Sequence, residues 1–294
     1  MNRALKTVVA QPHIWLLLPA LLLLVVFFLV PIVNMIKYSF YTQVLGGTMR
    51  PDLTLQNFAQ FFGHELYGKI LLKTLFNALI TTFLALLLAY PVAFAIARGR
   101  AWVGRILIIA VISPLLVGIV IRTYGWTVLL SRQGLINQLL LGTGMVEAPV
   151  RFMGNDLGII ISLLHVFYPC MVIPLAAALQ KIDRNLEEAA MVLGANRLHV
   201  FLRVIFPLSI PGVLAGSIVV FLLTASSFVT TRLIGQNLTR WFLNLVEEQV
   251  LIVFNWPFGA AMATVFIAIL VLTITGYHRL LESKFAFLMR GRDR

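Results

Sequence analysis

Six long apolar stretches run through the sequence, and shorter segments rich in polar and charged residues separate them. A helix that crosses the hydrocarbon core of a bilayer needs about 20 largely apolar residues, and the six stretches are close to this length. The pattern therefore predicts an all-α membrane protein with a single transmembrane domain over residues 1–294. The predicted spans cover residues 14–35, 71–97, 106–123, 157–179, 210–229 and 257–277.

The basic residues are concentrated in every second segment between these stretches. With the N-terminus on the cytoplasmic side, 14 of the 23 Lys and Arg residues fall in cytoplasmic segments. This agrees with the excess of Lys and Arg that such loops carry. We therefore expect both termini to be cytoplasmic, and residues 180–209 to form a cytoplasmic loop. A nucleic-acid partner is not expected, because the basic residues do not lie together in a soluble domain.

Composition and motifs restrict the functions that the chain can have. The chain is 60% hydrophobic and 12% charged, with a net charge of +12, which is outside the range of ordinary soluble domains. Its single cysteine, Cys170, excludes an intrachain disulfide and a thiolate metal site. The sequence has no G-x-x-x-x-G-K-[ST] phosphate-binding loop, no H-E-x-x-H and no G-x-S-x-G. We therefore expect no catalytic residue, metal or cofactor on this chain, and an integral membrane enzyme lacks the cluster it would need.

The middle of each span lacks Asp, Glu, Lys and Arg. Proton-coupled carriers usually keep an intramembrane carboxylate as a relay, and some channels are lined with charged rings, so the pattern argues against both classes. Half of a secondary transporter or channel stays the main alternative. His165 is the one ionisable residue well inside a span. We expect it either to bond to a neighbouring helix or to line a substrate path.

The cytoplasmic loop has the pattern of two short amphipathic helices. Asn185 is a candidate N-cap of the first, with Glu188 completing a capping box, and Gly194 suits the left-handed position after its end. Asn196 is a candidate N-cap of the second helix, which Pro207 is expected to end. The apolar positions on one face of the first helix are Leu186, Ala189, Ala190 and Leu193. This face can dock on a cytoplasmic protein or lie on lipid.

Residues 188–190 read E-A-A, Gly194 follows after three residues, and residues 204–207 read V-I-F-P after nine more. This run resembles the EAA motif of ABC importer permeases, E-A-A-x3-G-x9-I-x-L-P, with apolar replacements of its isoleucine and leucine. Four other segments are similar to the spermidine/putrescine-type branch of these permeases, namely 75–94, 113–126, 226–235 and 255–261. The resemblance covers nearly all six spans.

The resemblance implies a type I ABC importer permease fold in the bacterial cytoplasmic (inner) membrane. The loop would contain a coupling helix that docks on a separate ATPase subunit, present in two copies, which binds the ATP and Mg. A second homologous permease, an extracytoplasmic substrate-binding protein and membrane lipid are the other implied partners. The residues implied in ATPase coupling are Glu188, Ala189, Ala190, Gly194, Ala195 and Pro207. Glu188 would either cap its helix or pair with a basic group of the ATPase.

The resemblance also implies transport of a small polar solute, such as a polyamine, an opine, 4-aminobutyrate, aminoethylphosphonate or another amine or amino-acid-like compound. Selectivity would lie mainly with the binding protein. Candidate residues of the substrate path are Tyr124, Trp126, Ser226, Ser227, Thr230, Thr231, Asn255 and Trp256. The alternative is that the small polar residues pack helices together and the aromatic residues anchor the chain at the membrane interface.

Overall fold

The computed structural model describes residues 19–44 and 48–290. Its first half contains α1 (Pro19–Tyr38), β1 (Thr42–Val44), β2 (Thr48–Arg50), α2 (Gln56–Gly63), α3 (Glu65–Arg98), α4 (Ala101–Ile112), α5 (Ile119–Leu129) and α6 (Leu135–Gly142). Its second half contains α7 (Asp156–Gln180), α8 (Arg184–Val192), α9 (Arg197–Ala225), α10 (Val229–Gly235), α11 (Phe242–Glu247) and α12 (Trp256–Arg290). The predicted all-α class is confirmed, and the two short strands form one antiparallel hairpin.

Five of the described helices contain a stretch long and apolar enough to cross a membrane: α1, α3, α7, α9 and the part of α12 up to Tyr277. They overlap the first, second, fourth, fifth and sixth predicted spans. The start of the first predicted span, residues 14–18, lies outside the described residues.

The third predicted span is bent. The chain direction changes by 99° between Ala101–Leu116 and Ile119–Leu129, so the stretch 106–123 is not one continuous helix. α4 passes into a 3₁₀ turn that contains Pro114, which lacks the N–H needed to continue the α-helical hydrogen bonds. Gly118 is extended and begins α5, which leaves in a new direction.

The fifth predicted span is longer than expected at its start. α9 begins at Arg197 and runs without a break to Ala225, so the second helix of the loop and the fifth span are one helix. Pro207 does not end it, contrary to the prediction. The turn before Pro207 is a π-turn, in which the N–H of Phe206 bonds to the carbonyl of Phe201. This widened turn makes room for a proline ring that would otherwise clash with the preceding turn.

The described chain forms two compact units. The hairpin unit comprises the described residues up to Glu65 together with Val246–Ile267. It contains α1, the β-hairpin, α2 and the start of α12. The buried side chain of Asn57 donates hydrogen bonds to the carbonyls of Ser39, at 2.9 Å, and Tyr41, at 2.8 Å. These bonds fix α2 beside the turn that follows α1.

The main unit comprises Leu66–Leu245 and the rest of α12. Its centre is the close contact of α7 with α9, where two glycines four residues apart face α7. A Cβ atom on Gly212 would lie 2.5 Å from the Cβ of Ala178, and one on Gly216 would lie 2.8 Å from the sulfur of Met171. Small residues at this spacing let two membrane helices approach closely.

Candidate functional site

The first helix of the loop over residues 180–209, α8, is capped by Asp183. The Asp183 carboxylate accepts the backbone N–H of Asn185 at 3.0 Å, and the helix begins at Arg184. The predicted cap at Asn185 is therefore wrong by two residues, because Asp183 is an equally favoured N-cap. Glu188 consequently lies beyond the N3 position and completes no capping box.

The bend after α8 has the geometry that the sequence predicts. Gly194 has a φ of +90°, a conformation that glycine adopts without steric cost. The N–H of Gly194 bonds to the Met191 carbonyl at 3.0 Å, and the N–H of Ala195 bonds to the Ala190 carbonyl at 3.1 Å. This pair of bonds is a Schellman motif. Beyond the bend, Asn196 accepts the N–H of His199 at 2.8 Å, which confirms the predicted cap of the second helix.

The two faces of this loop differ in burial. Ala190 and Ala195 pack against the buried core of the main unit, and Pro207 is half-buried at the root of the loop. Glu188, Ala189 and Gly194 are exposed. Three apolar residues at the end of α8, which we call the apolar tip, are also exposed: Met191, Val192 and Leu193. The last two are each 87% exposed.

The loop is attached to α3 by a contact that no local sequence pattern predicts. Arg98, the last residue of α3, places Nη2 2.6 Å from the Glu187 carboxylate, and the two side chains are only 12% and 17% exposed. The same nitrogen donates to the Ile182 carbonyl at 2.9 Å. The sequence shows a basic residue at the end of a span and two adjacent glutamates. It does not show that they pair, because they lie far apart in the chain.

A second attachment joins α3 to α9. The hydroxyls of Tyr90 and Ser209 share a hydrogen bond of 2.8 Å, and the Tyr90 ring meets the Phe201 ring edge-on at 5.3 Å between centroids. α3 therefore contacts both ends of the loop over residues 180–209.

Several predicted path residues come together in the main unit. The buried Thr230 hydroxyl lies 3.0 Å from the Thr123 hydroxyl, which places α10 beside the helix that carries Tyr124 and Trp126. Thr231 is also buried and donates to the carbonyls of Ser227, at 3.0 Å, and Phe228, at 2.9 Å. The burial of both threonines and the bond between Thr230 and Thr123 match the alternative role of helix packing.

Other path candidates remain accessible. Tyr124 is 57% exposed, and Ser226 is exposed while its hydroxyl donates to the Leu222 carbonyl at 2.6 Å. The indole N–H of Trp126 donates to Nδ1 of His165 at 3.2 Å. His165 thus bonds to a neighbouring helix, the first of the two roles considered from the sequence, and it is exposed as well.

The remaining candidates belong to the hairpin unit. The Asn255 side chain accepts the N–H of Phe258 at 3.1 Å and so caps the start of α12, and Trp256 is exposed. The residue before them, Phe254, has a φ of +58°, and its carbonyl accepts a hydrogen bond from Gln43 at 3.0 Å.

A polar cluster lies near the other end of α3. The Lys73 ammonium is 2.8 Å from the Asp156 carboxylate and donates to the Thr239 hydroxyl at 2.5 Å. Asp156 also accepts bonds from Thr239, at 3.0 Å, and from the indole N–H of Trp241, at 2.9 Å. This cluster, which we call the Lys73–Asp156 cluster, ties α3 to the start of α7 and to the segment before α11.

Two relatives show the family to which the chain belongs. The spermidine/putrescine transport system permease protein PotB of Escherichia coli (strain K12) is 34% identical over 264 residues, which cover 89% of this chain and 96% of the relative. PotB of Haemophilus influenzae is 33% identical over 264 residues, with 89% and 92% covered. No family model matches the chain.

Solved structures agree on the fold. A bacterial ABC transporter involved in the import of the acidic polysaccharide alginate matches with a TM-score of 0.72 at 17% identity, covering 96% of this chain and 99% of that chain. A bacterial alginate ABC transporter in complex with alginate pentasaccharide-bound periplasmic protein matches with a TM-score of 0.67 at 17% identity, covering 93% and 94%. The chain is a multi-pass membrane permease subunit rather than an enzyme, and it belongs to the spermidine/putrescine-type branch of the ABC importer permeases.

Proposed function

We propose that this chain imports a polyamine or a related small amine across the bacterial inner membrane, driven by a separate ATPase that docks on the cytoplasmic loop. The observation that carries this proposal is the apolar tip, held at the end of a capped helix and a glycine bend. Val192 and Leu193 are almost fully exposed there. Covering such side chains with another surface is favourable, because it removes apolar area from water.

Glu188 favours a protein rather than lipid as the covering surface. It precedes Val192 by four residues, so the two lie on the same face of α8. Its carboxylate is exposed, and Asp183 has taken the capping role. A carboxylate pressed against lipid is costly, whereas a basic group on an ATPase would form a charge-assisted hydrogen bond with it. Ala189 and Gly194 add little bulk, so a partner surface can approach closely.

The other parts of the importer follow from this docking. Both termini of the chain are then cytoplasmic, two ATPase copies hold the ATP and Mg, and this chain needs no cofactor of its own. A second homologous permease completes the path, and α1, which exposes its apolar side chains along most of its length, faces lipid or that subunit. The alginate transporter with its periplasmic protein supports a binding protein as the donor of the solute.

The substrate proposal is supported by the name of the PotB relatives. Tyr124, Trp126 and Ser226 are the path candidates in the main unit that a passing solute can reach, because their side chains are at least partly exposed. A secondary transporter or channel, the main alternative, would move solute without an ATPase.

The test is uptake by the whole importer in proteoliposomes. With the second permease, ATPase and binding protein present, uptake of labelled spermidine is expected only when ATP reaches the ATPase. The solutes are ranked by how strongly each inhibits this uptake when added unlabelled and in excess: putrescine, 4-aminobutyrate and 2-aminoethylphosphonate. Glu188→Arg is expected to abolish co-purification of the ATPase, and Asn185→Ala on the same helix is the matched control that retains it. Uptake by vesicles that lack any ATPase would overturn the proposal.

A further inference from the structure

The cytoplasmic loop is continuous in the chain with α7 and α9, yet its charged contact goes to a third helix. Arg98 is the terminal residue of α3, and one of its guanidinium nitrogens reaches both the Glu187 carboxylate and the Ile182 carbonyl. Ile182 is buried just before α8, and Glu187 lies in the middle of α8. The guanidinium therefore holds α8, and the residues just before α8, at the end of α3.

This ion pair differs from an ordinary surface pair. Exposed pairs are weak because solvent screens them and both side chains must be ordered. Arg98 and Glu187 are largely withdrawn from water, and removal of one partner leaves a poorly solvated charge behind. The carboxylate of Glu188, the next residue, is exposed and makes no hydrogen bond or ion pair with any other described residue. The two adjacent glutamates thus have different surroundings, one facing inward to α3 and one facing outward.

α3 links the loop to a distant set of polar contacts. The helix is 34 residues long, and its Lys73 and Arg98 are about 37 Å apart at the usual rise of 1.5 Å per residue. Lys73 belongs to the Lys73–Asp156 cluster, which also includes Thr239 and Trp241. Next to Lys73, the Thr74 hydroxyl accepts the backbone N–H of Phe242 at 2.9 Å. Each end of α3 is thereby bonded to a different part of the main unit.

We propose that Arg98 and Glu187 are positioning residues through which movement of the cytoplasmic loop is passed to α3, and along α3 to the Lys73–Asp156 cluster. This inference rests on the proposed docking of an ATPase at the loop. Glu188 and the apolar tip hold the ATPase, whereas Arg98 and Glu187 make the docked loop and α3 move together. Loss of the pair separates ATP hydrolysis from transport without releasing the ATPase.

The test compares Glu187→Gln and Arg98→Gln in the complete importer, reconstituted with its binding protein, second permease and ATPase. In both variants the ATPase is expected to co-purify in normal amount and to hydrolyse ATP. Uptake of labelled spermidine per ATP hydrolysed is expected to fall about tenfold, within the range for residues on a coupling path. The double variant Arg98→Glu, Glu187→Arg is expected to recover most of this loss.

The matched control is Arg100→Gln. Arg100 is exposed, two positions beyond Arg98, and its side chain makes no hydrogen bond or ion pair with the described residues. It is expected to keep the uptake per ATP of the unmodified importer. Unchanged uptake per ATP in Glu187→Gln, or loss of the ATPase from that variant, would overturn the proposed link. The second result would leave the docking proposal standing.

A measurement that needs no solute tests this inference independently of which substrate the importer carries. Leu72 is exposed on α3 beside Lys73, and a spin label there, with Cys170 replaced by Ala, reports on this end of the helix. Addition of ATP and vanadate is expected to change the mobility of the label in the otherwise unmodified complex and to leave it unchanged with Glu187→Gln. No change in either complex, or the same change in both, would contradict the link.

Discussion

The hydroxyl of Thr230 donates a hydrogen bond to the hydroxyl of Thr123, 3.0 Å away. The direction follows because Thr123 already donates to the Ile119 carbonyl at 2.8 Å. Thr230 is at the start of the short helix after the fifth span, and Thr123 lies in the half of the third span that follows the bend. The bond therefore holds the bent half in place from a helix more than 100 residues further along the chain.

Thr230→Val is expected to lower the stability of the protein by about 1 kcal/mol, the usual net contribution of one buried hydrogen bond. The substitution keeps the shape of the side chain and removes the donor, while Thr123 keeps its bond to Ile119. Thermal unfolding of the detergent-solubilised chain measures the change. Ser226→Ala is the control, because its exposed hydroxyl bonds only within its own helix. Equal midpoints for the two variants would argue against a packing role for Thr230.

Tyr124 is expected to act on transport rather than on stability. It is largely exposed next to the buried Thr123, and its ring can attract the ammonium groups of a polyamine. Cation–π attraction of about 0.5–2 kcal/mol predicts that Tyr124→Leu raises the KM for spermidine uptake about two- to thirtyfold, with unfolding unchanged. Tyr124→Phe retains the aromatic face and is expected to keep the KM. A leucine variant with the original KM would exclude Tyr124 from the path.

The contact between α7 and α9 leaves no room for a methyl group at Gly212. A Cβ there would lie 2.5 Å from the Ala178 side chain and 2.8 Å from the Pro174 carbonyl oxygen. Gly212→Ala is expected to destabilise the protein by about 1–3 kcal/mol through overpacking. Gly125→Ala is the matched control in another helix, because its Cβ would meet nothing within 4 Å, and it is expected to be neutral or slightly stabilising. Thermal unfolding and the yield from membranes distinguish the two.

Within the Lys73–Asp156 cluster, Asp156 is expected to matter more than Lys73. Asp156 accepts hydrogen bonds from Thr239 and Trp241 in addition to its ion pair. Asp156→Ala is therefore expected to cost about 1–3 kcal/mol of stability, since it leaves those donors without an acceptor. Lys73→Met is expected to cost only about 0.2–1 kcal/mol, because the pair is about one-third exposed and solvent weakens it. The reverse order of unfolding midpoints would contradict this assignment.

The length and apolarity of the spans predict the membrane helices well, because they reflect the thickness of the bilayer. The left-handed Gly194 and the cap at Asn196 are equally predictable, because each is a local preference of one residue type. The predicted cap at Asn185 is wrong because Asp183 and Asn185 are both favoured caps only two positions apart. The continuation of α9 through Pro207 depends on a π-turn, for which the sequence gives no simple signal.

The contacts that attach the loop over residues 180–209 to α3 cannot be predicted from the sequence, for a different reason. Arg98 and Glu187 are 89 positions apart, and their pairing depends on how α3 packs beside α7 and α9. Periodicity identifies the face of one helix but not its neighbour. The same holds for Thr123 with Thr230, and for Trp126 with His165. Within the candidate site, the sequence therefore predicts the local turns but not which side chains pair with one another.

A substitution at Gly194 can separate the folding of the loop from the proposed docking of the ATPase. Its positive φ disfavours an L-residue such as alanine by about 1–2 kcal/mol, whereas asparagine tolerates this conformation better. Apart from the two neighbouring residues in the chain, no atom of the described residues lies within 4 Å of a Cβ placed there, so a side chain at this position is expected to meet a docked partner. Gly194→Asn is therefore expected to insert and fold normally but to lose the ATPase on purification and to stop uptake. Gly194→Asp is expected to do the same, with the added cost of burying a charge where the partner packs closely. The check is membrane abundance, ATPase co-purification and spermidine uptake measured on the same preparations, with Asn185→Ala as the loop control. Full uptake by the asparagine variant at normal abundance would show that nothing packs against this bend.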